Sequence, residues 1–474
     1  MNEMPISAVR SVLERYVGTS VGAIEVRPVA GGNGQETWFV DAKANERVIQ
    51  VVLRRDPAGG SMEFTDRRVE FDVLRSLEGV GLPIPHAHAY GSAEDGLGRP
   101  YLLMERLPGA PPKALDSGQR ASLGAQLGAL LGRLHDRRDA TSSTAVPAAD
   151  RTRQHVAEWR QRYDGGHLGE LPMIDALFGW LELNVPESAR PSVQLWGDPG
   201  PHNLLVSDGE ITGMLDWELA HDGDPLDDLG AAVWACLDTF RPADVIRGYE
   251  ETSPFPVSRA DLDYFVVLAC VTRSAISARG AKAFVEGRTS TLHLAGLALS
   301  LTSANLVRAA VHAGWGSVDE SPESVEHLAP DSDATRSRPD GAELTAGVAR
   351  VLADHLATAA TDRSLRRDLQ IAAALLRTAT NLDDPLSATA NANAELARLA
   401  EEVRRRTGTQ SLDVSECAHA IEGRVALADL RDELRSVLMG DLACRRARLA
   451  PLHELYGDLV AVPRRSPFSE EPHD

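Results

Sequence analysis

The sequence predicts an α+β chain in three successive parts: a strand-rich N-terminal segment carrying an antiparallel sheet and a helix, a mainly helical middle, and an all-α C-terminal bundle. Three observations predict it. Short β-branched and apolar runs crowd residues 24–104. Apolar residues at helical spacing dominate from Leu123 onward. An acidic, Ser/Pro-rich stretch without periodicity, Ser317 to Asp340, separates two such helical regions and reads as a linker.

The 474 residues suffice for two or three domains with sizeable cores. Hydrophobic residues at 43% and charged residues at 25% are ordinary for a soluble globular protein. A net charge of −20 argues against nucleic acid, whose binding rests on clustered Lys and Arg, and is read as a solubility feature. Cys236, Cys270, Cys417 and Cys444 show no metal or redox spacing, so structural thiols in a reducing compartment are expected. No signal peptide is read at the N-terminus, and no apolar run approaches the ~18 residues of a membrane span. The expected setting is cytoplasmic, with no membrane and no nucleic acid.

Ile6, Val9, Leu13 and Val17 predict an opening amphipathic helix. Ile24 to Ala30 reads as a strand, and Trp38 to Val40 resumes the pattern after Gly31-Gly32-Asn33-Gly34-Gln35-Glu36-Thr37. Such a glycine-rich turn lets backbone N–H groups approach phosphate, although a plain hairpin turn fits as well. Arg47 to Arg54 is a strong strand, whose alternation puts Val52 and Arg54 on one face; Arg55 reads as a solvated strand end. Asp66 is a good N-cap for a helix over Arg67 to Leu77. Val69, Val73, Leu74 and Leu77 fall in one arc of roughly 140°, and Glu70 lies inside it. A carboxylate there needs a cationic partner, and Arg54 is the candidate. Ala87 to Tyr90 and Tyr101 to Met104 complete the strands, the last running into Glu105.

Leu123, Leu127, Leu130, Leu131 and Leu134 make a helix stripe ending at His135, read as a core residue. Trp159, Tyr163, Phe178 and Trp180 are read first as core. The chain is then organised around LWGDPGPHNLLVSDGEITGMLDWELAHDGDPLDDLG, Leu195 to Gly230: strand, polar loop, strand, Ser-Asp-Gly turn, strand, helix start. Asp198 precedes Asn203 by five residues, and Asp216 closes the strand that follows. A loop Asp beside an Asn, then a second Asp after a strand, is the apparatus of phosphoryl transfer: the first Asp receives the proton of the attacking hydroxyl, and the Asn and second Asp are oxygen ligands suited to Mg²⁺. Asp224, Asp227 and Asp228 are read as structural, Glu218 and His221 as groups behind the metal Asp, and His202 as a space-filler. Residues 259–280 and 289–313 read as Ala-rich helices.

GDPGPHN, LDWE and GDPLDDL resemble the aminoglycoside phosphotransferase-like family of small-molecule kinases. That resemblance implies the two-lobed protein-kinase-like fold, with an N-lobe over residues 1–107 and a C-lobe carrying the catalytic loop over 108–316. It implies ATP and Mg²⁺ as cofactors and a small-molecule hydroxyl as substrate. Asp198 then corresponds to the catalytic residue and Asn203 and Asp216 to the metal ligands. Gly31, Gly32, Gly34 and Thr37 would cover the phosphates, Arg54 set by Glu70 would hold them, and Met104 and Glu105 would form the hinge against adenine. The chain departs from the family's pattern at Trp196, where a packing His is usual, at Arg54 in place of Lys, and in the glycine turn. The stretches VVLRRDPAGG, EFDVL and DWELAHDGDPLDDL look similar to kinase domains fused to some acyl-CoA dehydrogenases, which points to a hydroxyacyl-CoA. An aminoglycoside or macrolide acceptor, and a nucleotide-binding regulatory pseudokinase, stand as alternatives.

After the linker, placed at 317–342, a helical accessory domain is expected over 343–460 and a disordered tail over 461–474. Its stripes are Leu344 to Leu356, then Leu365, Leu369 and Leu376, then Leu396, Leu399 and Val403, then Leu427 to Leu438. It resembles a helical domain attached to kinases of this group and is expected to serve docking, self-association or substrate covering.

Overall fold

Five of the short apolar runs pair into one antiparallel sheet. The computed structural model describes residues 4–29, 36–45, 47–56, 62–137, 146–166, 171–187, 189–236, 239–289, 292–316, 363–382, 388–409 and 412–449, with a few isolated positions between 349 and 453. Gly31, Gly32 and Gly34, the linker, the first C-terminal stripe and the tail lie outside the described residues, apart from isolated positions of that stripe. The chain divides into two compact units: residues 1–151 with 188–262, and residues 152–187 with 263–474.

In the first unit, strands β1 (Ile24–Pro28), β2 (Glu36–Ala44), β3 (Arg47–Arg55), β4 (Ala87–Gly91) and β5 (Tyr101–Glu105) take the order β1-β2-β3-β5-β4. Helix α1 (Ile6–Val17) buries Val9, Val12 and Leu13 against one face, where Trp38, Val40, Val51, Leu53 and Leu103 meet it. Alternation therefore turns Val52 and Arg54 to the other face. There Val52 lies opposite Met104 across β3 and β5, and Arg54 opposite Leu102.

Helix α2 (Arg67–Ser76) is capped by Asp66, whose side chain accepts from the Arg68 N–H. Its buried face differs from the apolar arc of the sequence. Val69 is 43% exposed, while Arg67, Glu70, Leu74 and Leu77 are buried. The helix turns by what its charges meet rather than by its valines. Arg55 is likewise buried: it pairs with Glu36, donates to the Leu97 carbonyl and lies over the Trp38 ring, so it is no solvated strand end.

Helix α3 (Ser117–His135) starts on an Asp116 capping box and buries all five leucines of its stripe. It packs on α7 (Pro242–Glu250) at backbone distance. A Cβ on Gly128 would overlap the Val245 carbonyl, and one on Gly248 the Ala125 carbonyl. Strands β6 (Val193–Leu195) and β9 (His221–Gly223) pair antiparallel, as do β7 (Leu204–Ser207) and β8 (Glu210–Met214). Asp208 and Gly209, at φ 52° and 82°, make the tight turn between the latter two. Helix α6 (Pro225–Cys236) follows, with Asp227 and Asp228 in its first turn.

The second unit is helical among its described residues. Helix α4 (Ala148–Asp164), which begins in the first unit, contributes Trp159 and Tyr163 to its core, and α5 (Pro172–Leu183) contributes Phe178. Trp180 stacks on Tyr264 of α8 (Arg259–Val285). Helix α9 (Leu292–His312) packs on α10 (Arg363–Leu382). Helix α11 (Ala388–Thr407) buries Leu396, Leu399 and Val403 against α12 (Val414–Gly423) and α13 (Arg431–Arg448). Leu365 of the expected second stripe is 52% exposed; Ile371 and Ala374 turn inward instead. The grouping of 152–187 with the C-terminal helices departs from the linear order expected. It rests on α5 and α12, which approach so closely that a Cβ on Gly179 would overlap the His419 carbonyl. Among the described residues no helix is long and apolar enough to cross a membrane.

Candidate active site

The loop between β6 and β7 is held by its own backbone. Gly200 N–H donates to the Asp198 carbonyl at 2.8 Å, and Asn203 N–H to the Gly200 carbonyl at 2.9 Å. Pro199 and Pro201 restrict the chain between them. Leu215 N–H then donates to the Asn203 carbonyl at 2.9 Å, which ties the end of the loop to the residue before Asp216. Met214 N–H reaches the Pro83 carbonyl at 2.7 Å, so the same hairpin is tied to the strand-rich part.

Asp198 and Asn203 meet directly. Asn203 Nδ2 donates to Asp198 Oδ2 at 2.8 Å and to the Asp198 carbonyl at 3.1 Å. His202 Nε2 stands 3.2 Å from the same Oδ2, with its side chain 57% exposed. His202 is thus no space-filler. With both Nδ2 contacts directed to Asp198, the amide oxygen Oδ1 is the atom Asn203 could offer to a metal.

Asp216 sits at φ +64°, a left-handed backbone conformation costly for a non-glycine residue. Its Oδ1 accepts from Arg54 Nη2 at 2.7 Å. Arg54 also pairs with Glu70 through Nη1, so the strand–helix ion pair forms and extends to the loop after β8. Burial works against the charge of Arg54, but Asp216, Glu70 and Glu218 overcome it and hold its pKa above the ordinary guanidinium value. Arg67 pairs with Glu70 and donates to Glu218 Oε2 at 2.6 Å and Asp56 Oδ1 at 2.9 Å. Burial and the charge of Asp216 push the Glu218 carboxyl upward, while Arg54 and Arg67 pull it back. Arg67 went unread as a site residue in the sequence. Its available signal was the i,i+3 spacing to Glu70, which places both on one helix face.

Behind the loop lies Asp228, 1% exposed. Its carboxylate accepts from Trp196 N–H at 2.7 Å, from Gly197 N–H at 2.8 Å and faces His135 Nε2 at 3.1 Å. His135 Nδ1 in turn meets the Tyr249 hydroxyl at 3.1 Å. Gly197 has φ +87°, and a Cβ there would overlap the Leu219 carbonyl, so glycine is required. Trp196 is fully buried, stacks on Trp217 at 5.6 Å between ring centroids, and donates Nε1–H to the Leu215 carbonyl at 2.9 Å. Asp224 accepts from Leu226 N–H and from Arg190, at 2.9 Å each.

Of the expected hinge, Met104 is buried and Glu105 exchanges bonds with His86, donating its N–H to the His86 carbonyl and accepting the His86 N–H on its carboxylate. Thr37 lies across from Arg54 in the β2–β3 register, and its carbonyl accepts the Val29 N–H at 2.9 Å.

A family model described as the phosphotransferase enzyme family matches residues 25–256. Those residues form a phosphotransferase-family domain. The described residues form an antiparallel N-terminal sheet followed by many helices, with further helices C-terminal to residue 256. Acyl-CoA dehydrogenase family member 10 of Mus musculus is 26% identical over 263 residues, 52% of this chain, and the chain spans about a quarter (24%) of that relative's length. Viomycin phosphotransferase of Streptomyces vinaceus is 30% identical over 177 residues, 34% of this chain and 59% of that protein. Among solved structures, the macrolide 2'-phosphotransferase MphH of Brachybacterium faecium aligns at 19% identity with a TM-score of 0.42, over 62% of this chain and 97% of that one.

Proposed function

We propose that the phosphotransferase domain moves a phosphoryl group from ATP, with Mg²⁺, to a hydroxyl of a small molecule. The observation that carries this reading is the contact of Asn203 with Asp198 on a loop that the Leu215 N–H ties to the strand end before Asp216, with Arg54 on Asp216. The donor set fits the metal: the Asn203 amide oxygen and the Asp216 carboxylate are hard oxygen ligands, and Mg²⁺ needs few from protein. Bound there, Mg²⁺ would neutralise charge on the phosphates. Asp198 would orient the acceptor hydroxyl and take its proton, with Asn203 Nδ2 holding the carboxylate in place. Arg54, fixed by Glu70, would hold phosphate together with Thr37 on β2 and with Gly31, Gly32 and Gly34 before it. Met104 and Glu105 would border the base.

For the acceptor, the likeness to an acyl-CoA dehydrogenase family member over half of this chain favours a hydroxyacyl-CoA. The likeness to viomycin phosphotransferase keeps an antibiotic of the aminoglycoside or macrolide type as the second reading. The C-terminal helices would dock a partner or a second copy. The buried free thiols of Cys236, Cys270 and Cys417 agree with a reducing, cytoplasmic setting.

The test is ATP consumption with Mg²⁺ and a panel of hydroxyacyl-CoAs and aminoglycosides, products read by mass. A gain of one phosphate on one class is expected. Asp198→Asn should keep nucleotide binding and lose turnover by about 10²–10⁴-fold. Retained turnover would remove Asp198 from its role; a thermal shift with Mg-ATP but no product on any acceptor would favour a regulatory pseudokinase.

A further inference from the structure

Four buried charges close a ring. Arg54 on β3 pairs with Glu70 on α2, Glu70 with Arg67 at the start of the same helix, Arg67 Nη2 with Glu218 Oε2 at 2.6 Å, and Glu218 stands 3.6 Å from Arg54 Nη2. Side-chain exposure is 6% or less at each of the four. The ring reaches outward to the site through Arg54: the same Nη2 that faces Glu218 also donates to Asp216 Oδ1 at 2.7 Å.

One amino group of Arg54 is therefore shared by two carboxylates. Its preference is set by how strongly Glu218 pulls, and that pull is reduced by the contact Glu218 makes with Arg67. In a poorly solvated cluster these interactions are strong and mutually dependent. We infer that Arg67 and Glu218 are positioning residues, which set how the charge of Arg54 is divided between Glu218 and Asp216 and thereby how readily Asp216 takes a divalent cation. This rests on the phosphotransferase reading above.

The two residues act with opposite sign. Removing the Glu218 charge leaves Arg54 fully on Asp216, so a cation must compete harder for that carboxylate, while the site becomes less negative toward phosphate. Removing Arg67 frees Glu218 to draw Arg54 away, so Asp216 is more available to a cation, and the positive charge that faces phosphate is displaced. A purely structural role has no such asymmetry.

The experiment is calorimetric titration of the full chain with ADP, in EDTA and across a Mg²⁺ series, for the unaltered protein, Glu218→Gln, Arg67→Met and Arg67→Lys, with melting curves alongside. Glu218→Gln should raise the Mg²⁺ concentration for half-maximal enhancement of ADP binding about tenfold, equal to ~1.4 kcal/mol, and leave metal-free ADP affinity equal or tighter. Arg67→Met should weaken metal-free ADP binding about fivefold or more without raising the Mg²⁺ requirement. Arg67→Lys, which keeps the charge, should restore most of the loss. Both variants losing metal-free and Mg²⁺-supported binding together, in step with a lowered melting point, overturns the inference and leaves the phosphotransferase reading standing. Neither variant changing either constant does the same. An unaltered protein that binds no Mg-ADP overturns that reading and this inference with it.

Discussion

Replacing Asp228 by alanine should loosen the loop that carries Asp198 more than any other single change behind it. The Asp228 carboxylate is buried and accepts two backbone N–H groups, from Trp196 at 2.7 Å and Gly197 at 2.8 Å. Alanine strands both donors. Each orphaned buried N–H costs about 1–3 kcal/mol, and bonds to a charged acceptor fall at the upper end. The sum is about 3–6 kcal/mol, before the loss of the partner to His135. For a unit of this size that corresponds to a fall in melting midpoint of about 6–24 °C. Asparagine keeps one acceptor oxygen but turns an NH₂ toward a backbone donor, so it should fall between alanine and the unaltered protein. The assay is urea unfolding followed by near-ultraviolet circular dichroism, because Trp196 and Trp217 stack beside the anchored residues and report the loop directly. A loss below about 1 kcal/mol for Asp228→Ala, with the near-ultraviolet spectrum unchanged, would refute the claim that this carboxylate holds the loop.

Gly128→Ala sets propensity against packing: an exposed helix would gain about 1 kcal/mol from alanine, but the Cβ would overlap the Val245 carbonyl, so a net loss is expected in thermal melts. Gly197→Ala combines a positive φ with overlap on the Leu219 carbonyl and should cost about 2–4 kcal/mol, with loss of any turnover; a stable, active variant would contradict the loop geometry. Trp196→Phe keeps most of the ring volume but strands the Leu215 carbonyl, for an expected loss of about 1–3 kcal/mol in urea unfolding.

What was legible in the sequence was local. The Asp66 cap, the β3 run and the Asp-Gly turn before β8 depend on residues within a few positions, and each forms where its residues predict. The Arg54–Glu70 pair could be read because a lone carboxylate in an apolar arc demands a cation. The rotation of α2 could not. It turns Val69 outward and Arg67 inward because Glu218, 151 residues later, supplies the partner for Arg67. Arg55 misled for a similar reason: its partners Glu36 and Leu97 come from other strands and turns. Strand β9, three residues long, exists only through its pairing with β6 and carries no pattern of its own. The gathering of α4 and α5 with the C-terminal helices rests on glycine contacts between Gly179 and α12, across more than two hundred residues of chain.

The grip of Asp228 has a consequence for how this loop can change over time. It holds main-chain N–H groups, which every amino acid except proline supplies. The anchor is therefore blind to the side chain at position 196. An imidazole can give way to an indole there without loosening the loop, provided the neighbouring core makes room, as Trp217 does by stacking. Position 197 has no such latitude, because the sign of its backbone angle and the Leu219 carbonyl against it both exclude a side chain. Two adjacent residues, bonded to the same carboxylate, are thus exposed to opposite degrees of drift.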